Sequence, residues 1–180
     1  MTRFDPLNRD QMNAEQGKIF DEIKARGGRL GGPYTALIRI PPFMKLQQEM
    51  GNYLRTNSLS GRERQVAVLC TVRHWGAAYA WAVQEVASLR VGLEQHVIDA
   101  INGGETPELN DEAERAIHVM AGELLANKGL SDGTYTQALD ALGLERLTDA
   151  IAAVGFYSLV SCTLNGFDIS PPRDSAARLK

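Results

Sequence analysis

The sequence predicts an all-α protein, and three observations carry that reading. Apolar residues recur at spacings of three and four, as in Ile19, Phe20 and Ile23 and again in Ile117, Met120, Leu124 and Leu125, which is the period of one helix face. No run alternates polar and apolar residues between Asn-Gly or Asp-Gly turns, the pattern a hairpin needs. The punctuation is also helical: Ser60-x-x-Glu63 forms a capping box, prolines stand at first-turn positions, and glycines follow the last periodic residues. These signals predict a single compact multi-helix domain over 1–180, of about eight helices, with 170–180 a flexible polar tail.

The first helix falls within 15–26 and stops at Gly27, Gly28, Gly31, Gly32 and Pro33, because glycine admits positive φ and proline cannot continue a helix. That loop is no phosphate cradle, since a P-loop needs Gly-Lys-Ser/Thr between a strand and a helix. Pro41 and Pro42 introduce a second helix, whose stretch 43–56 carries Met44, Leu46, Met50, Tyr53 and Leu54. The third begins at the Ser60 cap. Its residues 66–72 are almost all apolar, so it is buried on most of its circumference and forms the centre of the domain. Gly76 interrupts the pattern, and a fourth helix runs to Val91 and stops at Gly92. A short fifth covers 94–102 and ends at Gly103 and Gly104; Pro107 and Asn110 introduce a sixth reaching Asn127. Ser131 caps a seventh through Ala141, and the eighth covers 144–164, before Pro171 and Pro172.

A chain of 180 residues is long enough to bury roughly two thirds of its unfolded surface, so no metal or disulfide staple is needed. The 19 Lys+Arg and 22 Asp+Glu give a net charge of −3 without like-charge runs, which excludes a nucleic-acid or anionic-membrane partner as the expectation. Cys70 and Cys162 each sit in an apolar run, where a thiol is expected to act as a small buried hydrophobe. The N-terminus lacks a signal-peptide core and the apolar stretch 150–164 falls short of a membrane span. A cytoplasmic protein is expected.

From Ser60 to Gly92, the residues SGRERQVAVLCTVRHWGAAYAWAVQEVASLRVG resemble the signature region of the carboxymuconolactone decarboxylase and alkylhydroperoxidase D-like superfamily. The likeness runs through Arg62, Glu63, Gly76, Tyr79 and Trp81. It implies an alkylhydroperoxidase D-like fold. In redox members of that superfamily a glutamate on one helix serves a Cys-x-x-Cys pair and a histidine on the next. The matching positions here are Gln65, Ala77, Ala80 and Gln84, and none of these is a thiol, an acid or a base. A thiol peroxidase needs a low-pKa nucleophile and a resolving thiol, so that activity is disfavoured. Decarboxylase-type relatives usually keep a histidine where Gln84 stands.

Helix geometry sorts the remaining candidates. At about 100° per residue, Glu63, Ala67, Cys70 and His74 share one face, while Gln65, Leu69 and Val72 share the opposite one. On the next helix Ala77, Ala80, Trp81, Gln84 and Ser88 share a face by spacings of three and four. Gln65, Trp81 and Gln84 are therefore expected to line a small pocket of amides and an indole, a lining that binds and orients but holds no group titrating near neutral pH. The segment GPYTALIRIPPF also resembles longer family members, which often carry a histidine where Arg39 stands, and the NGF at Asn165 to Phe167 resembles their Asn-Ala-Phe-like motif. Arg39 is expected to hold a carboxylate bidentately and Asn165 to orient a carbonyl. His74, Tyr79, Tyr157 and Glu85 are the candidates for proton transfer, with Glu63 assigned to its capping box.

The resemblance implies an enzyme working without a cofactor or metal on a small carboxylated lactone or an aromatic ring-cleavage product, by decarboxylation, isomerisation or lactone opening. This would be a lyase-type activity in aromatic catabolism. The alternative is a non-catalytic oligomeric binding or scaffold protein that has lost the reactive groups. Self-association as a dimer, trimer or hexamer is expected in either case.

Overall fold

Why the third predicted helix becomes the hub follows from its composition. In the computed structural model, which describes residues 2–28, 30–171 and 179–180, that helix (α4, Gly61–His74) has Gln65 through Val72 all buried and packs against four neighbours. A helix apolar around its whole circumference is stable only if it is surrounded. The helices that surround it are α5 (Ala78–Arg90), α6 (Gln95–Gly103), α7 (Glu112–Asn127) and α8 (Asp132–Gly166). Together they hold the main core, with Trp81, Leu69, Ile98, Ile117, Met120 and Leu147 among its largest fully buried side chains. Outside this bundle α1 (Ala14–Ala25), α2 (Tyr34–Leu37) and α3 (Pro41–Thr56) form a smaller cluster around Ile19, Leu37, Ile38 and Met44. No strand occurs among the described residues.

The capping box is present as the sequence predicts. Glu63 N donates to Ser60 Oγ at 3.2 Å and Ser60 N to Glu63 Oε2 at 2.8 Å, and Arg146 of α8 pairs with the same carboxylate. Arg62 ties the start of α4 to α7 through two bonds to Glu114, at 2.6 and 3.1 Å, and to Glu94 at 3.1 Å. Asp149 of α8 accepts from Tyr53 Oη at 2.7 Å, Ser58 Oγ at 2.6 Å and Ser58 N at 2.9 Å, which fixes the α3–α4 loop against the bundle.

Three expectations change. The short α2 was not foreseen, because the Gly-Gly-Pro run before it reads as loop. The stretches 131–141 and 144–164 are two helical segments as expected, joined by a kink at Gly143, where φ is 71° and ψ 164°, and are labelled together as α8. Cys162 is exposed, not buried, because α8 turns Ile151, Gly155 and Cys162 outward while Ala153, Val154, Ser161 and Leu164 pack inward. Of the tail, 172–178 lie outside the described residues, and Leu179 packs on the main core while Lys180 N donates to Asn102 Oδ1 at 3.0 Å. By length and hydropathy alone α8 would suffice to cross a membrane, but in this fold it lies against α4 and α7.

Candidate functional site

A half-open cavity of about 610 Å³ lies between α3, α4, α5 and α8, with Gly31, Gly32, Pro33 and Tyr34 on its rim. On α5 its wall is Ala80, Val83, Gln84, Ala87, Arg90 and Val91. These are one face at helical spacing, so the cavity follows the helix for about 15 Å at 1.5 Å per residue. Its lining is largely apolar, with the Phe156 and Tyr157 rings and Val160 from α8 opposite.

Gln65 and Gln84 meet at this wall. Gln65 Nε2 donates to Gln84 Oε1 at 3.3 Å, and the Ser88 hydroxyl is shared between the Gln84 carbonyl at 2.7 Å and Gln65 Oε1 at 3.1 Å. The Gln84 side chain and the Tyr157 phenol line the same cavity, and Gln84 acts weakly to lower the phenol's pKa. A chain of three polar groups, Ser88, Gln65 and Gln84, thus leads from the buried hydroxyl to the cavity wall that the Tyr157 phenol shares. Hydrogen bonds in such a chain polarise one another, which strengthens the last donor. Burial pushes the Tyr157 phenol above its ordinary pKa, and the positive charges of Arg55 and Arg64 offset only part of that. It is therefore protonated at neutral pH and able to donate. Tyr79 is half-buried with its ring against Gly32, and burial raises its pKa also.

Four of the nine sequence-predicted site residues line the cavity: Gln65, Tyr79, Gln84 and Tyr157. Tyr79 projects away from Ala80 on the helix, yet both reach the cavity because the 31–33 loop folds over the start of α5. The others lie elsewhere. Arg39 donates to the carbonyls of Thr35 at 3.2 Å and Asp5 at 2.7 Å and stacks 4.7 Å above the Phe4 ring, so it holds down the N-terminal segment and is not a carboxylate anchor here. Trp81 is fully buried behind the cavity wall and donates Nε1–H to Glu85 at 2.9 Å, which also occupies Glu85. Asn165 donates to the Trp75 carbonyl at 2.6 Å, closing the end of α4. His74 points away from the cavity, as the helix geometry requires, and lines a separate hollow of about 250 Å³ with Cys70 and His118.

Arg55, Arg64, Arg90 and Tyr34 are cavity residues that the sequence reading missed. Only Arg90 left a trace there, since it continues the spacing of Ala80, Val83 and Ala87. No Asp, Glu, His or Cys is among the lining residues. The arrangement can bind an anion, donate hydrogen bonds to a carbonyl oxygen and exclude water from an apolar body. It offers no base near neutral pH. No group of three or more metal-binding side chains occurs among the described residues.

No family model and no curated protein matches the chain in sequence. Solved structures do match. A peroxidase-related protein from a Silicibacter species superposes with a TM-score of 0.81 at 14% identity, covering 99% of this chain and 96% of that one. A peroxidase-related protein from Ralstonia eutropha, described as an alkylhydroperoxidase AhpD core, gives 0.80 at 14% identity, covering 96% and 93%. A protein of unknown function from Agrobacterium tumefaciens, linked by its description to the antioxidant defence protein AhpD, gives 0.71 at 18% identity over 77% of this chain and 97% of its own. These likenesses establish an AhpD-like fold.

Proposed function

We propose that this AhpD-like protein acts on a small carboxylated carbonyl compound, a lactone or a ring-cleavage product of aromatic catabolism, by polarising the carbonyl so that negative charge can develop on its oxygen. The observation that carries the reading is the chain from Ser88 through Gln65 to Gln84, which ends at the wall of a cavity also lined by the Tyr157 phenol and by arginines. Decarboxylation, isomerisation and lactone opening all build charge on an oxygen, and preorganised donors in a dry site stabilise it. The phenol would donate to the developing oxyanion while an arginine holds the carboxylate. Thiol peroxidase chemistry is disfavoured on two grounds. Burial pushes the Cys70 thiol up to about 12, and the exposed Cys162 lies on another helix outside this cavity.

The test is turnover of carboxylated muconolactones, followed by ultraviolet absorbance and proton NMR, with Tyr157→Phe as the comparison. Loss of a single oxyanion donor predicts a fall in kcat of about 10²-fold. Binding without turnover would overturn the catalytic reading in favour of a second one, a non-catalytic binding protein. The lack of a lining group that titrates near neutral pH favours that alternative. Self-association belongs to either reading: Phe43, Leu46, Met50 and Tyr53 form an exposed stripe on α3 at spacings of three and four, and light scattering at micromolar concentration checks it.

A further inference from the structure

Three arginines line the cavity, and their placement is more specific than a general positive lining. Arg64 Nη1 donates to the Leu54 carbonyl at the end of α3, at 3.1 Å. Its Nη2 lies 3.8 Å from the point where a Cβ on Gly61 would sit, a point 2.9 Å from Val91 Cγ1 at the end of α5. Arg64 therefore spans the ends of α3 and α5. Arg55 is the neighbour of Leu54 and Arg90 the neighbour of Val91, so all three arginines gather at the same end of the cavity, and all three line it.

None of the three makes an ion pair with a carboxylate among the described residues. The pairs that do occur belong to Arg9, Lys45, Arg62 and Arg146. Arg55 reaches only the Asn52 side chain, and Arg64 only a backbone carbonyl. Arg55 and Arg90 stand in the last turns of α3 and α5, where the helix dipole favours a cation. Arg64 has no such support, since it sits in the first turns of α4, the end at which the dipole opposes positive charge. In a chain of net charge −3, three uncompensated guanidinia beside one cavity repel one another. A bound anion relieves that repulsion.

We infer that the cavity is built for an organic polycarboxylate, whose two or three carboxylates are gathered at the end where α3, α4 and α5 meet and whose apolar body lies along Ala80, Val83 and Ala87. Three planar forks arriving from three helices suit separate carboxylates, each able to take a bidentate bond. Tyr34 and Tyr157 flank the same cavity, and Arg55 acts electrostatically on both. This inference rests on the small-carboxylate reading above and adds to it the number of charges.

The experiment titrates the full chain by calorimetry at pH 7.5 with benzoate, benzene-1,3-dicarboxylate and benzene-1,3,5-tricarboxylate, which share one ring and differ in charge. Affinity is expected to rise at least tenfold from the first to the third, and to fall more steeply with salt for the third. Arg90→Met, an exposed position, is expected to weaken the tricarboxylate about tenfold and benzoate less than threefold. Equal affinities across the series would overturn the polycarboxylate inference and leave the small-carboxylate reading standing. No binding by any of the three would overturn both.

Discussion

Gln65 on α4 and Gln84 on α5 are hydrogen-bonded to each other, Nε2 to Oε1 at 3.3 Å, and the contact sits at the wall of the cavity with Ser88 behind it. Both side chains have their amide dipoles set by neighbours, so neither can be truncated without leaving a polar group unpaired. Gln65 is also buried, where an orphaned partner costs about 1–3 kcal/mol. Gln65→Leu is thus expected to destabilise the fold by about 1–2 kcal/mol, read as a lower urea midpoint at unchanged slope. Gln65→Leu/Gln84→Leu should lose less than the sum of the single variants, because the second change removes a group the first had stranded. Strict additivity would show that the two amides do not act as a pair.

Asp149 carries the acid sensitivity of the α3–α4 loop. Burial pushes its carboxyl up, but bonds from Ser58 and Tyr53 outweigh that and hold it below its ordinary value of 3.8. A carboxyl depressed in the folded state adds stability that is present above its unfolded pKa and is lost as pH falls through the folded one. Wild-type stability should therefore decline below about pH 4. Asp149→Asn, which loses the charge-assisted part of three hydrogen bonds, should cost about 2 kcal/mol at pH 7 and show a shallower decline in acid. Urea midpoints measured at pH 7, 5, 4 and 3 check both halves.

How far the sequence could be read follows from how local each determinant is. Ser60 and Glu63 are three residues apart and satisfy each other's amides, so the start of α4 was legible, and so was the break near Gly143. The contact of Gln65 with Gln84 was legible because two regular helices joined by a tight turn fix which faces meet. The arginine cluster was not, because Arg55, Arg64 and Arg90 come together only through the meeting of three helix ends, which no spacing encodes. Arg39 was misassigned for the opposite reason. Its partners are the carbonyl of Thr35 one turn back and the chain at Asp5, contacts that a likeness to other chains does not reveal.

The two cysteines should behave differently toward an alkylating agent. Burial pushes the Cys70 thiol up to about 12, while Cys162 is exposed on α8. Since the thiolate is the reactive form, iodoacetamide at pH 8 should add once to the native protein, at Cys162, and twice after unfolding. Peptide mass spectrometry identifies the site. Rapid native modification of Cys70 would contradict the burial of that face of α4 and reopen a redox role.

The rim of the cavity depends on a glycine that has two separate reasons to be there. Gly32 has φ of +56°, and a Cβ on it would lie 2.8 Å from Tyr79 Cε1. Gly27 also has positive φ, at +73°, but nothing lies within 4 Å of its Cβ position. Gly27→Ala therefore samples the backbone strain alone, about 1 kcal/mol, and should leave ligand binding unchanged. Gly32→Ala adds a collision with the aromatic ring that forms part of the cavity wall, so it should cost about 2–3 kcal/mol, or a fall in Tm of roughly 4–10 °C for a chain of this size. It should also weaken benzene-1,3,5-tricarboxylate severalfold by displacing Tyr79. In a Tyr79→Ala background the collision is absent, so there Gly32→Ala should cost only about as much as Gly27→Ala does in the wild type. If the two glycine variants proved alike in both stability and binding, the loop would not be packed on Tyr79, and the cavity would be open on that side.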